Sequence, residues 1–402
     1  MPIDLATAVP APPHTEEKRR AAAAVEAARD EILELSHAIH ADPEPAFEER
    51  RAAARVAEGV ARHGYVGQQP AGRRETAVRG VLRGRGQGTG PRIAVLAEYD
   101  ALPGLGHGCG HNTMAASGVG AAIALAAVAD AFAGEVVFLG TPAEERGSGK
   151  QWMLDDGLFD GCDAALLFHP SDLTHVEIRL LASVDVEVTF TGLQAHAASD
   201  PWQGRNALDA LILLFQAVGL WRQQLKPDAR VHGIVLEGGT AANIIPDRAV
   251  ARFMLRSTDE RDFEAMQGRF REMVEGAALS TGTTGEARSS GGSSTMRHNR
   301  VLGRLFAANM AAYGVADGPP PMNMGSSDMG NVSQRMPTIH PELAICDAGV
   351  AGHSIAFREA AATERADEVT LLVSTLVAQT ALDLLLDPSL VEAAWREFRA
   401  AD

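Results

Sequence analysis

Cysteine is scarce: Cys109, Cys162 and Cys346 are the only three in 402 residues. An odd number so widely spaced excludes a disulfide scaffold and suits a reducing compartment, so a cytoplasmic location is expected. Positive charge is also short, since 36 Lys and Arg against 52 Asp and Glu leave a net charge of −16. That sign repels nucleic-acid phosphate and anionic membrane surfaces, so neither is an expected partner. No apolar run reaches membrane-spanning length before Gly, polar or charged residues interrupt it. The first twenty residues, MPIDLATAVPAPPHTEEKRR, lack the basic cluster and apolar stretch of a signal peptide and form a Pro-rich tail. The expectation is a soluble protein, longer than one hydrophobic core usually serves, and so of two domains.

What is present alternates between helix and strand. Helical patterns near 17–39 and 47–63 precede the runs RIAVLAE (92–98), EVVFLG (135–140) and AALLF (164–168), each flanked by Gly, Pro or charge as buried strands are. Between the first two, NTMAASGVGAAIALAAVADAF predicts an Ala-rich buried helix starting just after His111. This is the pattern of an α/β domain with a mixed sheet and helices on both faces. Near 182 the texture changes to half-exposed alternation. The following stretch predicts strand, helix (203–224), strand (230–237), strand (248–256), helix (259–279) and strand (282–289), the order of a ferredoxin-like α+β unit. SSGGSSTMRHNR (289–300) resembles a linker, after which helix and strand signals resume through a helix near 364–387. The expected architecture is a discontinuous catalytic domain, 15–181 plus 297–402, interrupted by a small domain at 182–296.

Chemistry-bearing residues gather at strand ends, where ligands bind in α/β sheets. AEYDALPGLGHGCGHN (97–112) puts Glu98, Asp100, His107, Cys109 and His111 in one short loop. A Cys-x-His pair offers a thiolate and an imidazole, both good zinc ligands, and the glycines let the loop close until both face one point. Alone, the segment is equally a turn with incidental histidines. GTPAEERGSG (140–149) follows the next strand; of the adjacent Glu144 and Glu145, one can bind metal while the other acts as general base, although an acidic helix start looks the same. LLFHP (166–170) sets His169 at a third strand end, and DAGVAGHSIAFRE (347–359) puts His353 in a Gly-containing loop opening a helix. Three successive strand ends that each offer a metal-capable group point to a metal site. No Walker lysine and hydroxyl, and no Gly-x-Ser-x-Gly elbow, support a phosphate-binding loop or a serine hydrolase.

AEYDALPGLGHGCGHN, GTPAEE, FHP, TGLQAHAASDPWQGRNALDA, NIIPD, SSDMGNVS and GHS stand in the order expected of the aminoacylase-type dinuclear metallopeptidases. The chain resembles the branch of that family containing aminobenzoyl-glutamate hydrolases and Xaa-Arg or β-alanyl-lysine dipeptidases, over nearly its whole length. The resemblance implies a two-metal catalytic domain with an inserted lid domain through which the chain forms a homodimer. Carried over by motif, it implies Cys109, His111, Glu145, His169 and His353 as metal ligands, Glu144 as general base and Asp100 as an orienting group. The family pattern often has His or Arg where Glu98 stands, and Asp or Asn at the place of Asn112; neither departure removes a ligand. In the lid it implies that His196 contacts substrate or transition state in the partner's site, with Asn243 and Arg256 holding the substrate carboxylate or nearby backbone.

The expected function is metal-dependent hydrolysis of an amide or dipeptide bond in a small substrate bearing a free carboxylate. Two divalent cations are expected, zinc by the thiolate and imidazole ligands, with manganese also compatible with a carboxylate-containing site. The rivals are an N-acyl-amino-acid deacylase of the same family, a non-catalytic binding protein on the same fold, and a two-metal phosphoesterase, which would want more Asp and Asn ligands. PPPMNMGSSDMGNVS (319–333) is the expected wall of the substrate cleft, with Met322, Met324 and Met329 as packing.

Overall fold

The computed structural model describes residues 11–85, 89–318 and 325–400. Met322 and Met324, in the expected cleft wall, lie outside the described residues, as do the first ten residues of the N-terminal tail. The chain divides into two compact units: Met1–Arg179 with Met296–Asn323 and Asn331–Asp402, and Leu180–Thr295 with Met324–Gly330.

In chain order the first unit opens with α1 (Thr15–Ala27), α2 (Arg29–Ala41), α3 (Arg50–Arg62), β1 (Val66–Gln68), β2 (Val78–Arg83), β3 (Arg92–Glu98), α4 (His111–Ala126), β4 (Glu135–Thr141), α5 (Glu144–Gly147), α6 (Gly149–Asp155), β5 (Ala164–Leu166) and β6 (His169–Ser171). The second unit carries β7 (Ala182–Thr191), α7 (Ala207–Trp221), β8 (Arg230–Glu237), β9 (Arg248–Ser257), α8 (Glu260–Thr281) and β10 (Thr284–Ser293). The chain ends with α9 (Arg300–Ala312), α10 (Met329–Ser333), β11 (Thr338–Ile339), β12 (Glu342–Ala344), α11 (Ile355–Ala360), α12 (Glu364–Leu386) and α13 (Pro388–Ala400).

The main sheet of the first unit has the order β1-β2-β4-β3-β5-β11 and is mixed: β2 runs antiparallel to β1 and β4, and the remaining pairs are parallel. β4 is buried at every position, as the continuous apolar run required. α4 is buried almost all round and packs on α12, α2 and β3. Where the sequence predicts one helix over 17–39, the chain turns at Ala28 (φ −99, ψ 11), and both segments then bury apolar residues, Val25 and Ile32, against a core that includes α4. Among the described residues, α12 is the one helix long and apolar enough to cross a bilayer; 89% of that apolar window is buried inside the protein, as in a core helix.

The second unit is a four-stranded antiparallel sheet of order β10-β7-β9-β8 with α7 and α8 packed on it, the ferredoxin-like β-α-β-β-α-β arrangement. β7 alternates buried and less buried positions, and Phe253 of β9 packs between Phe215 and Phe270 at ring-centroid distances of 4.8 and 5.0 Å. β10 corrects the linker expectation, because residues 289–293 are still strand; a register shift between Ser289 and Gly292 takes up the glycines as a bulge. β8 is an edge strand, with Ile234, Val235 and Leu236 exposed.

Candidate metal centre

β3, β4 and β5 are parallel, so the segments that follow them leave from one edge of the sheet. After β3 the chain passes Asp100 and a glycine-rich turn before α4 opens at His111. Gly110 adopts φ +74, and a Cβ there would come within 2.7 Å of Pro170. Glycine at this point lets Cys109 and His111 approach the strand that carries His169.

The ring of His111 is fixed from one side. Its Nδ1–H donates to the Asp100 carbonyl at 2.8 Å and lies 3.1 Å from Asp100 Oδ1, while Asp100 Oδ2 accepts the backbone N–H of Glu145 at 3.0 Å. His111 Nε2 is therefore directed inward, 3.4 Å from Glu98 Oε2 and 4.0 Å from Glu145 Oε1. Cys109 Sγ lies 3.5 Å from His169 Nε2, whose ring donates its Nδ1–H to the Pro170 carbonyl at 2.7 Å. His353 Nε2 approaches Glu145 Oε1 at 3.4 Å. Donor atoms of Cys109, His111 and His169 all fall within 4.8 Å of one another, as do those of Cys109, Glu145 and His353, and those of His111, Glu144 and Glu145. The three groups share members, so all five ligand candidates and Glu144 form one connected cluster.

Electrostatics show what such a cluster requires. Burial pushes both the Cys109 thiol and the Glu145 carboxyl upward, so their anions are penalised in the absence of a cation. Burial, helped by His340 and His111, lowers His169 to about 3 and keeps its ring neutral. Burial would lower His111 too, but Asp100 overrides it and holds the ring well above its usual value. His111 Nε2 and Glu145 Oε1 are both buried without a hydrogen-bond partner. Unsatisfied inward-facing donor atoms of N, O and S chemistry fit divalent metal ions, whose charge would relieve each of these penalties.

Backbone strain gathers at the same place. Ala143 (φ 56, ψ 42) and Ser148 (φ 51, ψ 55) flank the single turn of α5, and His353 has φ 58. Each non-glycine residue in this left-handed region costs about 1–2 kcal/mol, a cost retained where geometry matters to function.

Some participants carried no sequence signal. Lys150 is fully buried and ion-paired with Glu98, and His340 packs edge-on to His169 at 5.6 Å between centroids. Burial raises the Glu98 carboxyl, but Lys150, His111 and His340 together hold it below its usual range. His107, by contrast, stacks on His40 and belongs to none of the ligand groups. Asn112 ties α4 to its surroundings, donating to Ser36 Oγ and the Ala361 carbonyl, both at 2.9 Å.

The lid candidates lie in the second unit. His196 is exposed, and its Nδ1 accepts the N–H groups of Ala198 and Ser199 at 3.1 Å, which places the ring proton on Nε2. The His196 segment meets the Asn243 turn, where the Ala197 N–H donates to the Asn243 carbonyl at 3.0 Å. Arg256 stands near the opposite end of β9, eight residues beyond its first residue Arg248, or about 26 Å of extended chain.

Similarity to known proteins agrees with this geometry. Residues 94–375 match the model of "Peptidase family M20/M25/M40". An Xaa-Arg dipeptidase of Mus musculus is 36% identical, over 95% of this chain and 92% of that protein. One of the subunits of the p-aminobenzoyl-glutamate hydrolase of Escherichia coli K12 is 33% identical, over 73% of this chain and 65% of its own length. Among solved structures, the Bacillus subtilis YXEP protein, described as a dinuclear metal binding peptidase from M20 family, superposes with a TM-score of 0.67 at 21% identity, covering 90% of this chain and 99% of that one. Motif order, fold and this breadth of similarity lead to one assignment: the chain belongs to peptidase family M20/M25/M40.

Proposed function

We propose that the protein is a metal-dependent hydrolase of an amide or dipeptide bond in a small substrate that bears a free carboxylate. The observation that carries this reading is the connected cluster of Cys109, His111, Glu145, His169 and His353 with Glu144 beside it. Divalent ions held by those five residues would supply Lewis acidity toward an amide carbonyl and a lowered pKa for water. Glu144 takes the proton of the attacking water and returns it to the leaving nitrogen. Asp100 holds the His111 ring with one oxygen and the Glu145 backbone with the other, so a single carboxylate keeps two ligands in register. Thiolate and imidazole ligands favour zinc, and the carboxylates keep manganese compatible. The free cysteines suit a reducing, cytoplasmic setting.

We further propose a homodimer through the second unit. The exposed apolar residues of edge strand β8, with Ile212, Leu213 and Leu220 on α7, form a surface that a second copy can cover. His196 and Asn243 lie together, whereas Arg256 stands near the far end of β9, about 26 Å of extended chain beyond its first residue Arg248; a dipeptide spans only about 7 Å. A substrate touching all three would therefore draw His196 and Asn243 from one chain and Arg256 from the other. The Nε2–H of His196 is the donor such a site needs toward a carbonyl oxygen that gains charge.

The test is a screen of dipeptides, aminobenzoyl-glutamate and N-acyl amino acids with defined metal added back. Turnover of dipeptides or aminobenzoyl-glutamate supports the reading. Exclusive turnover of acyl amino acids makes the protein a deacylase, and no turnover with metal bound makes it a binding protein.

A further inference from the structure

The loop that precedes α3 contacts both ends of α5, the turn that carries Glu144 and Glu145. Glu49, the residue before α3, is fully buried, and its Oε1 accepts the backbone N–H of Ala143, ninety-four residues away, at 2.8 Å. The same oxygen accepts the N–H of Phe47 at 2.8 Å. Both donors belong to non-glycine residues in the left-handed region, Ala143 at φ 56 and Phe47 at φ 66. At the other end of α5 the Phe47 ring covers Gly147, where a Cβ would fall 2.4 Å from the ring. One buried oxygen thus fastens two strained residues, one directly before Glu144 and the other packed over the end of the same turn.

We propose that Glu49 is a positioning residue that holds Ala143 in its left-handed conformation and so aims Glu144 and Glu145 into the metal centre. Without the Oε1 acceptor, the Ala143 N–H is left unpaired in a buried setting and the residue relaxes toward ordinary backbone angles. The peptide that follows then rotates and carries both carboxylates with it. Glu49 touches neither substrate nor metal; it acts through the backbone. The inference rests on the reading of Glu144 as base and Glu145 as ligand.

Three variants test it. Burial, ahead of neighbouring Asp100, raises the Glu49 carboxyl to about 7, so the neutral amide in Glu49→Gln is a close stand-in that keeps an acceptor oxygen. Glu49→Ala removes the acceptor. Glu49→Asp keeps the carboxylate but withdraws it by one methylene, and serves where the alanine variant does not fold. Cobalt(II) titration reads the metal centre without hydrolysis: the thiolate charge-transfer band reports the Cys109 loop, and the affinity reports Glu145. Glu49→Ala, or Glu49→Asp in its place, is expected to weaken cobalt binding about 10–100-fold while keeping the band. It should also lower kcat by about 100-fold with KM little changed. Glu49→Gln is expected to stay within about threefold of wild type, since rescue follows the acceptor oxygen and not the charge. Folded Glu49→Ala or Glu49→Asp protein with wild-type affinity and kcat overturns the proposal, as does Glu49→Gln damage equal to that of the alanine variant. If the wild type hydrolyses none of the substrates, the functional reading fails while the cobalt comparison still decides the role of Glu49.

Discussion

The backbone N–H of Glu145 donates to Asp100 Oδ2 at 3.0 Å, forty-five residues away in sequence. Because Asp100 Oδ1 faces the His111 ring at 3.1 Å, the two ends of one carboxylate set two ligand candidates at once. Asp100→Asn keeps the shape but must turn an amide NH2 toward one of the two donors. Metal affinity, measured by competition with a chromophoric chelator, is expected to fall about 10–100-fold. Wild-type affinity would show that Asp100 orients neither ligand.

Glu144 and Glu145 are neighbours in sequence with different proposed roles, and amide substitution separates them. Glu144→Gln is expected to lower kcat about 10²–10⁴-fold with metal content near normal, whereas Glu145→Gln loses metal as well as rate. Interchanged effects would mean that base and ligand are assigned the wrong way round.

The clustering of Cys109, His111 and His169 was legible in sequence because short apolar runs identify β3, β4 and β5, and the segments beyond the carboxyl ends of parallel strands collect at one edge of the sheet. The second unit was legible for a similar reason: each of its strands and helices has the length at which period 2 or 3.6 is readable. Glu49 was not, since PEPAFEER has no periodicity and the partner of its carboxylate is ninety-four residues away. Lys150 escaped because a lysine on an amphipathic turn ordinarily faces water, and only the buried Glu98 beside it reverses that. The break at Ala28 has no Gly or Pro to mark it; tertiary packing decides it.

Subunit mixing tests the lid reading. Glu144→Ala and His196→Ala proteins should each be nearly inactive alone. In a mixed dimer, one site would hold its own Glu144 and the partner's histidine. Subunit exchange is therefore expected to restore activity at up to about half of the sites in each heterodimer. No rescue despite demonstrated exchange would mean that His196 acts within its own chain or not at all.

His298 contributes a pH dependence to the stability of the first unit. Burial, opposed by nearby Glu177 and Glu397, lowers its folded pKa below the ordinary imidazole value. Between the two values the unfolded chain binds more protons, so this contribution is fully present above about pH 6.5 and is lost as pH falls through the folded value. Urea unfolding of chelator-treated protein is expected to show a larger loss between about pH 7.5 and 5.5 for wild type than for His298→Gln. Equal losses would remove His298 from the acid sensitivity.

The central claim is a working metal centre, and elemental analysis coupled to assay tests it most directly. Purified protein is expected to carry up to two divalent transition-metal ions per chain, to lose hydrolysis on chelation and to regain it when zinc or manganese is restored. Full activity in rigorously metal-free protein would contradict the account.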